Sequence, residues 1–368
     1  MSKLSISENL EKFIIKRILY GAFVLLGTAT VVFLLFNVLP GDPARMMLGQ
    51  HADEQSIAII NKDLGRNKPL ATQYFMYLND LSPVSIHNKT NAESAIYLSN
   101  EKYTYSRLFD LGKNDVLVLK YPYLRRSYQT KIRVADIIKE TLPETAILAL
   151  ASIVIASLFG IIIGVFSALY KDSWFDKSSL VFAILWMSGP SFYIGLILAY
   201  VFGHVLSEYT HLNFSGSLFV MDDYGNGEYL ELKNLILPAI TLGLRPLAII
   251  IQLTRSSMLD IVSQDYIRTA KAKGLGFYTV VFRHALKNAL TPVMTAISGW
   301  FASLLAGSVF VEDVFDWKGI GKETVYALQK YDLPVVMGSV LVIALIFVVI
   351  NTLVDILYGI LDPRVRVG

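Results

Sequence analysis

The chain contains no cysteine and little charge, and each deficit closes off a class of function. Without thiols there is no disulfide framework, no thiolate metal site and no cysteine nucleophile. Only 17% of the 368 residues are charged, against roughly a quarter in soluble globular chains. Hydrophobic residues make up 54%, and the mean hydropathy is +0.50. That imbalance points to a membrane. The net charge of +3 is small and no basic stripe is interleaved with aromatics, so nucleic acid is not an expected partner. His51, His87, His204, His211 and His284 share no metal-ligand spacing. The phosphate-binding pattern Gly-x4-Gly-Lys-Ser/Thr is also missing, since Gly319-Ile-Gly-Lys-Glu323 lacks both its spacing and its hydroxyl. No catalytic residue, metal site or bound cofactor is expected.

What the chain does have is long apolar runs. Roughly 20 apolar residues at ~1.5 Å each cross a ~30 Å hydrocarbon core. Five charge-free runs qualify: Ile18–Gly41, Thr145–Tyr170, Ser178–Gly203, Asn288–Val311 and Leu333–Val354. A sixth, Asn234–Thr254, is interrupted only by Arg245. The first run follows Lys3, Lys12, Lys16 and Arg17, but it is longer than a signal-peptide core and ends in Leu39-Pro-Gly-Asp-Pro43, so it reads as an anchor. With the N-terminus inside, 14 Lys and Arg fall on inner segments and four on the short outer loops. That bias places both termini in the cytoplasm.

The expected fold is an all-α membrane protein with six transmembrane helices and a small extracytoplasmic α+β insertion after the first. The expected organisation is a tail and first span over 1–41, an extracytoplasmic region over 42–142, a core over 143–360 and a tail over 361–368. Within the core, spans are expected near 143–170, 178–203, 235–258, 289–311 and 334–357, with a cytoplasmic loop over 259–290. In the outer region, 57–81 reads as short helices around Gly65 and Pro69. Tyr103–Tyr105 and Val116–Leu119 read as a strand pair joined by Asp110–Asp115. Asp136–Pro143 reads as an amphipathic lead into span two, and Gly189-Pro190 should kink span three.

The 259–290 loop carries the chemistry. Leu259–Ala272 fits a helix with Leu259, Val262, Tyr266, Ile267 and Ala270 near one face and Asp260, Gln264, Arg268 and Lys271 near another. Gly274 and Gly276 then break it, and a second amphipathic run, Phe277–Leu290, precedes Pro292. A helix–turn–helix of this kind suits a groove on a partner protein. Aligned on Gly274, it partly matches the importer motif Glu-Ala-Ala-x3-Gly-x9-Ile-x-Leu-Pro, with Arg268-Thr269-Ala270 at the triplet and His284-Ala-Leu286-Lys287 at the tail. Its own version, Asp265-Tyr-Ile-Arg-Thr-Ala-Lys-Ala-Lys-Gly274 with Arg283-His-Ala-Leu-Lys-Asn288, resembles the dipeptide/oligopeptide/nickel permeases of ATP-binding-cassette (ABC) importers.

The resemblance extends along most of the chain. It takes in Leu39–Pro43, Met47–Gly49, Leu64-Gly65, Lys68–Leu70, Gln73-Tyr74, Leu142-Pro143, Gly189–Phe192, Leu253–Leu259 and the closing Leu361–Arg364. Residues 82–120 have no counterpart, and Lys318 stands where the family usually has proline. The resemblance implies a type I importer in a bacterial inner membrane. Its parts would be this permease, a second homologous permease, two cytoplasmic ATPases that use ATP and Mg, and an extracytoplasmic substrate-binding protein. It implies an ATPase-coupling role for Asp265, Arg268, Ala270, Lys271, Gly274, Arg283 and His284, no enzymatic activity in this chain, and peptides or, second, nickel or metal chelates as cargo. An ATPase-independent secondary transporter would instead show paired intramembrane charges or inverted repeats. A membrane-anchored enzyme would show a catalytic cluster in 42–142.

Two intramembrane features remain. Thr295, Gly299, Ser303 and Gly307 recur every four residues in span five, as Gly160 and Gly164 do in span two, and such rows let helix backbones approach. They read as packing rows. Arg245 is costly at mid-helix, about 2.5–3.5 kcal/mol. Either it lines a water-filled pathway and meets anionic substrate groups such as a peptide carboxylate, or span four starts late at Leu237-Pro238 and the arginine snorkels or pairs within the protein.

Overall fold

The computed structural model describes residues 2–38, 57, 61, 67–91, 94, 96–100, 102–222, 224–225 and 227–361. Leu39–Pro43, Met47–Gly49, His51, Leu64-Gly65 and the tail from 362 lie outside them, as does most of the helix expected over 57–60. The elements are overwhelmingly helical. They begin with α1 (Ser2–Val38), α2 (Leu70–Leu81) and three strands, β1 (Val84–Asn88), β2 (Tyr105–Leu111) and β3 (Asp115–Lys120). There follow α3 (Val134–Leu169), α4 (Trp174–Ser188), α5 (Ser191–Tyr200) with a π-helical turn to Val205, a single helical turn Ser207–Thr210, and a small hairpin, β4 (Phe219–Met221) and β5 (Glu228–Leu230). The remainder is α6 (Lys233–Val262), α7 (Asp265–Ala272), a π-helical stretch Thr279–Leu286, α8 (Lys287–Gly307), α9 (Val309–Val314), α10 (Ile320–Gln329) and α11 (Leu333–Leu361). Among the described residues, five helices are long and apolar enough to cross a membrane, or six if α4 and α5 form one broken span.

The chain forms two compact units, Met1–Glu140 with Glu323–Val348, and Thr141–Lys322 with Val349–Gly368. In the first, Pro69 presets the entry to α2, whose buried Tyr77 joins Ala29, Val32, Phe33 and Met337 in an apolar cluster. The Tyr74 hydroxyl meets Thr30 Oγ1 at 2.6 Å. The three strands form an antiparallel sheet in the order β1-β3-β2, with Val84 opposite Leu119 and a bulge between Arg107 and Phe109. Ser85, His87, Val116, Val118 and Lys120 are buried on its inner face.

The expected pair of strands is therefore three. Its first member runs Tyr105–Leu111 rather than 103–105, and β1 carried too short an alternation to stand out. Tyr103 stays outside the strand because its hydroxyl donates to Asp80 Oδ1 at 2.6 Å and its ring packs on His87.

In the second unit, α3 runs through Pro143, so the expected lead and span two are one helix. Membrane helices tolerate proline where other groups satisfy the freed carbonyl. At Gly189-Pro190 the outcome is stronger than a kink. Proline excludes its predecessor from helical geometry, Gly189 is extended (φ −81, ψ 145), and α4 and α5 diverge by 109°. Helix α6 starts at Lys233, four residues before the late start considered for span four, and continues past Pro238 and Pro246.

Candidate functional site

The segment 263–288 is built as a projecting turn with an apolar root. Helix α6 ends at Val262, and Gln264 is extended (φ −70, ψ 149), so the single helix expected over 259–272 is two, separated by a corner. Helix α7 buries only Ile267 and Ala270. Both insert among Val165, Ala168, Met258, Val280, Val281, Ala285 and Ala289, which come from α3, α6, the π-helical stretch and α8. Asp265, Tyr266, Arg268, Thr269, Lys271 and Lys273 stay exposed.

The helix ends as a Schellman motif. The Gly274 amide donates to Lys271 O at 3.0 Å and the Leu275 amide to Ala270 O at 3.3 Å. Gly274 takes φ +77, the left-handed region that glycine enters without strain. Gly276 has no positive φ, so only one of the two glycines is conformationally required.

After the turn, Phe277 and Tyr278 are exposed, and the Tyr278 and Phe282 rings stack at 6.4 Å. Arg283 is exposed and His284 half-buried on the π-helical stretch, which runs directly into α8 through Pro292. Asn288 Nδ2 bonds to Tyr266 Oη at 2.9 Å, tying the root of α8 to α7. The structure thus gathers Asp265, Arg268, Lys271, Gly274, Arg283 and His284 on one projection. Ala270 is part of its buried root. The Asp265–Arg268 ion pair is fully solvated and loose at 3.6 Å, so it contributes little to stability. The surface is cationic and aromatic, and its backbone is held from beneath.

Two further arrangements hold α6, the helix that leads into this projection: an ion pair that residue spacing does not show, and the glycine row of span two, which it does. Arg255 near the end of α6 grips Asp176 at the start of α4 with two bonds, Nε to Oδ1 at 2.5 Å and an Nη to Oδ2 at 2.7 Å. Asp176 is almost fully buried, its other donor being the Asp172 amide at 3.0 Å, and Ser173 caps the helix through the Asp176 amide. The glycine row of span two packs directly on α6. A Cβ on Gly160 would lie 2.7 Å from Ile250, and one on Gly164 2.6 Å from Thr254 and 2.8 Å from the Ile251 carbonyl. The row in span five faces the other way: Thr295, Gly299 and Ser303 are exposed, no atom approaches Gly299, and Gly307 is the last residue of α8.

At the other end of α8 the chain folds around Glu312, which is fully buried. Its carboxylate accepts from Thr145 Oγ1 (2.8 Å), Ser308 Oγ (2.7 Å) and the amides of Gly321 (2.7 Å) and Lys322 (3.1 Å). Burial pushes its pKa above the usual carboxylate value, while these four donors oppose the rise. A Cβ on Gly319 would lie 2.2 Å from Glu312 Oε2, so the Phe315–Gly321 loop closes on this carboxylate. Trp317 is fully buried there and donates to the Glu144 carbonyl at 3.1 Å.

Arg245 is placed unlike any of these. From Leu237 to Thr254 it is the only exposed residue, and among the described residues it has no ion-pair or hydrogen-bond partner. Among the described residues, no three His, Asp or Glu side chains are grouped to hold a metal.

The family model described as "Binding-protein-dependent transport system inner membrane component" matches residues 160–367, and a companion model for the N-terminal part of such components matches residues 10–99. The Dipeptide transport system permease protein DppB of Alkalihalophilus pseudofirmus is 33% identical over 96% of this chain and 99% of its own. The Di/tripeptide transport system permease protein DppB of Pseudomonas aeruginosa is 34% identical over 92% and 94%. The Glutathione transport system permease protein GsiC of Salmonella paratyphi A is 32% identical over 96% and 98%.

Proposed function

Because the chain belongs to the family of inner membrane components of binding-protein-dependent transport systems, we propose that it is the six-span permease subunit of an ATP-driven peptide importer. As a member of that family it is a multi-pass inner-membrane protein and a permease component of an ABC transporter. The finer reading assigns it a second permease, two cytoplasmic ATPases that bind ATP and Mg, and an extracytoplasmic binding protein that delivers di- or oligopeptides. Both termini and the 263–288 projection lie in the cytoplasm, and the β1–β3 region lies outside.

The observation that carries this reading is the projection itself. Arg268, Lys271, Arg283 and the Tyr278–Phe282 stack form an exposed surface, while Ile267 and Ala270 root it among the ends of α3, α6 and α8. A push on α7 is therefore delivered to three spans at once. ATPase closure biases the permease only through contacts that differ between the ATPase states, and a stiff, rooted knob transmits that difference. The names of the relatives, dipeptide, di/tripeptide and glutathione, support peptides over nickel or metal chelates.

Uptake by a strain lacking this chain tests the assignment. Restoring the chain should restore ATP-dependent uptake of labelled dipeptide and leave nickel uptake unchanged. Restored nickel uptake alone would move the cargo to metal. Uptake that persists without any ATPase partner would refute the importer reading.

A further inference from the structure

We infer that Arg245 is a carboxylate-recognition point in the translocation pathway, and that it contacts the free carboxylate of the transported peptide. The inference rests on the importer reading above and adds a binding residue to it. Arg245 stands 12 residues into the 30-residue α6, about 18 Å from its start at ~1.5 Å per residue and close to the helix centre. A late start that would let it snorkel to the surface is not what α6 does.

The other arginine of this helix, Arg255, is held by Asp176. Arg245 has no such partner among the described residues, although it lies on the most enclosed of the candidate spans. Every other position from Leu237 to Thr254 is at least half-buried against the chain.

Three surroundings are open to an exposed guanidinium here: lipid, a pathway or another subunit. The chain shows what its outward-facing helix surfaces look like elsewhere. Within the apolar run of α1 the exposed residues include Leu19, Phe23, Leu26, Val31 and Leu34, and within that of α3 they include Leu150, Val154, Leu158 and Ile162. Such faces suit lipid.

The Arg245 face is of another kind. At helical spacing it continues through Ile249 to half-buried Gln252 and exposed Ser256, and Gln252 reaches Met187 of the broken span at 3.6 Å. Polar groups in a row leading to the inner end of α6 belong to a wetted wall, where an intramembrane charge is tolerated. A guanidinium presents a planar fork of donors that pairs with a carboxylate through two parallel bonds. A free C-terminal carboxylate is the one anionic group that every unmodified linear peptide carries.

The test uses the assembled complex, purified without its binding protein so that delivery does not set the preference. Binding of labelled N-acetyl-Ala-Ala and of its C-terminal amide is measured for the wild type, Arg245→Gln and Arg245→Lys, with co-purification of the other subunits recorded for each. The wild type should prefer the acid by about tenfold. Arg245→Gln should abolish that preference with the subunits still present, and Arg245→Lys should keep part of it.

A wild type with no preference for the acid, or an Arg245→Gln complex that keeps the preference, overturns the inference. So does loss of the second permease from both variants, which would make Arg245 an interface residue. A wild-type complex that imports no dipeptide at all when its binding protein is supplied would instead refute the importer reading.

Discussion

At Gly274 the backbone sits at φ +77, and at Gly276 it does not, so two glycines that look alike in sequence carry different demands. A Cβ in the left-handed region costs roughly 1–2 kcal/mol. No atom lies within 4 Å of where a Cβ would go at either position, so this backbone cost is the whole difference between them. Gly274→Ala should lower peptide uptake several-fold at unchanged membrane levels, and Gly276→Ala should leave it within error. Parallel uptake assays at matched expression check this, and equal effects would remove Gly274 from its role at the turn.

Residue patterns located Gly274, the basic residues and Arg245. They could not locate the Asp176–Arg255 grip, whose members lie 79 positions apart, nor the Glu312 hub, whose donors come from residues 145, 308, 321 and 322. Nor could they decide between the two readings of Arg245. That choice turns first on which face of α6 is bare, which only packing shows, and then on what meets Arg245 there.

At the level of elements, apolar runs located the long helices because membrane spans announce themselves by length and hydropathy. Break points were legible where the chemistry is local, as at Gly189-Pro190, and missed where it is not, as at the corner after Val262. The sheet was half-read, since β1 is five residues long and owes its place to β3.

The same sheet supplies a pH prediction. His87 is fully buried, with Nε2 3.0 Å from Ser85 Oγ and Nδ1 3.2 Å from the Ile96 carbonyl oxygen. Burial, and then the nearby Lys120 charge, lower its pKa to about 4 from the ordinary 6.5. The folded state therefore resists the proton that the unfolded chain accepts. His87 contributes its full stabilisation above pH 6.5, and loses it as pH falls from there toward 4, by up to about 3 kcal/mol at ~1.4 kcal/mol per unit.

Lys120, lowered by burial to about 8, is charged throughout that window and adds no slope. Burial raises the Asp80 carboxyl pKa, so Asp80 titrates with the opposite sign. Hydrogen exchange of the β1 and β3 amides should show protection falling between pH 6.5 and 4. His87→Gln should flatten the fall, and an unchanged slope in that variant would contradict the assignment.

On the scale of the whole molecule, the proposed importer receives its energy from another subunit through one rooted projection. Arg268 and Lys271 face outward on α7 while Ile267 and Ala270 hold it from below. The absence of native cysteine makes the decisive measurement clean, because a single Arg268→Cys gives the only thiol in the permease. In the assembled complex, a short thiol cross-linker from that site should capture an ATPase subunit, with a yield that changes when ATP is bound. A complex in which position 268 reaches no ATPase, while peptide uptake continues, would contradict the account.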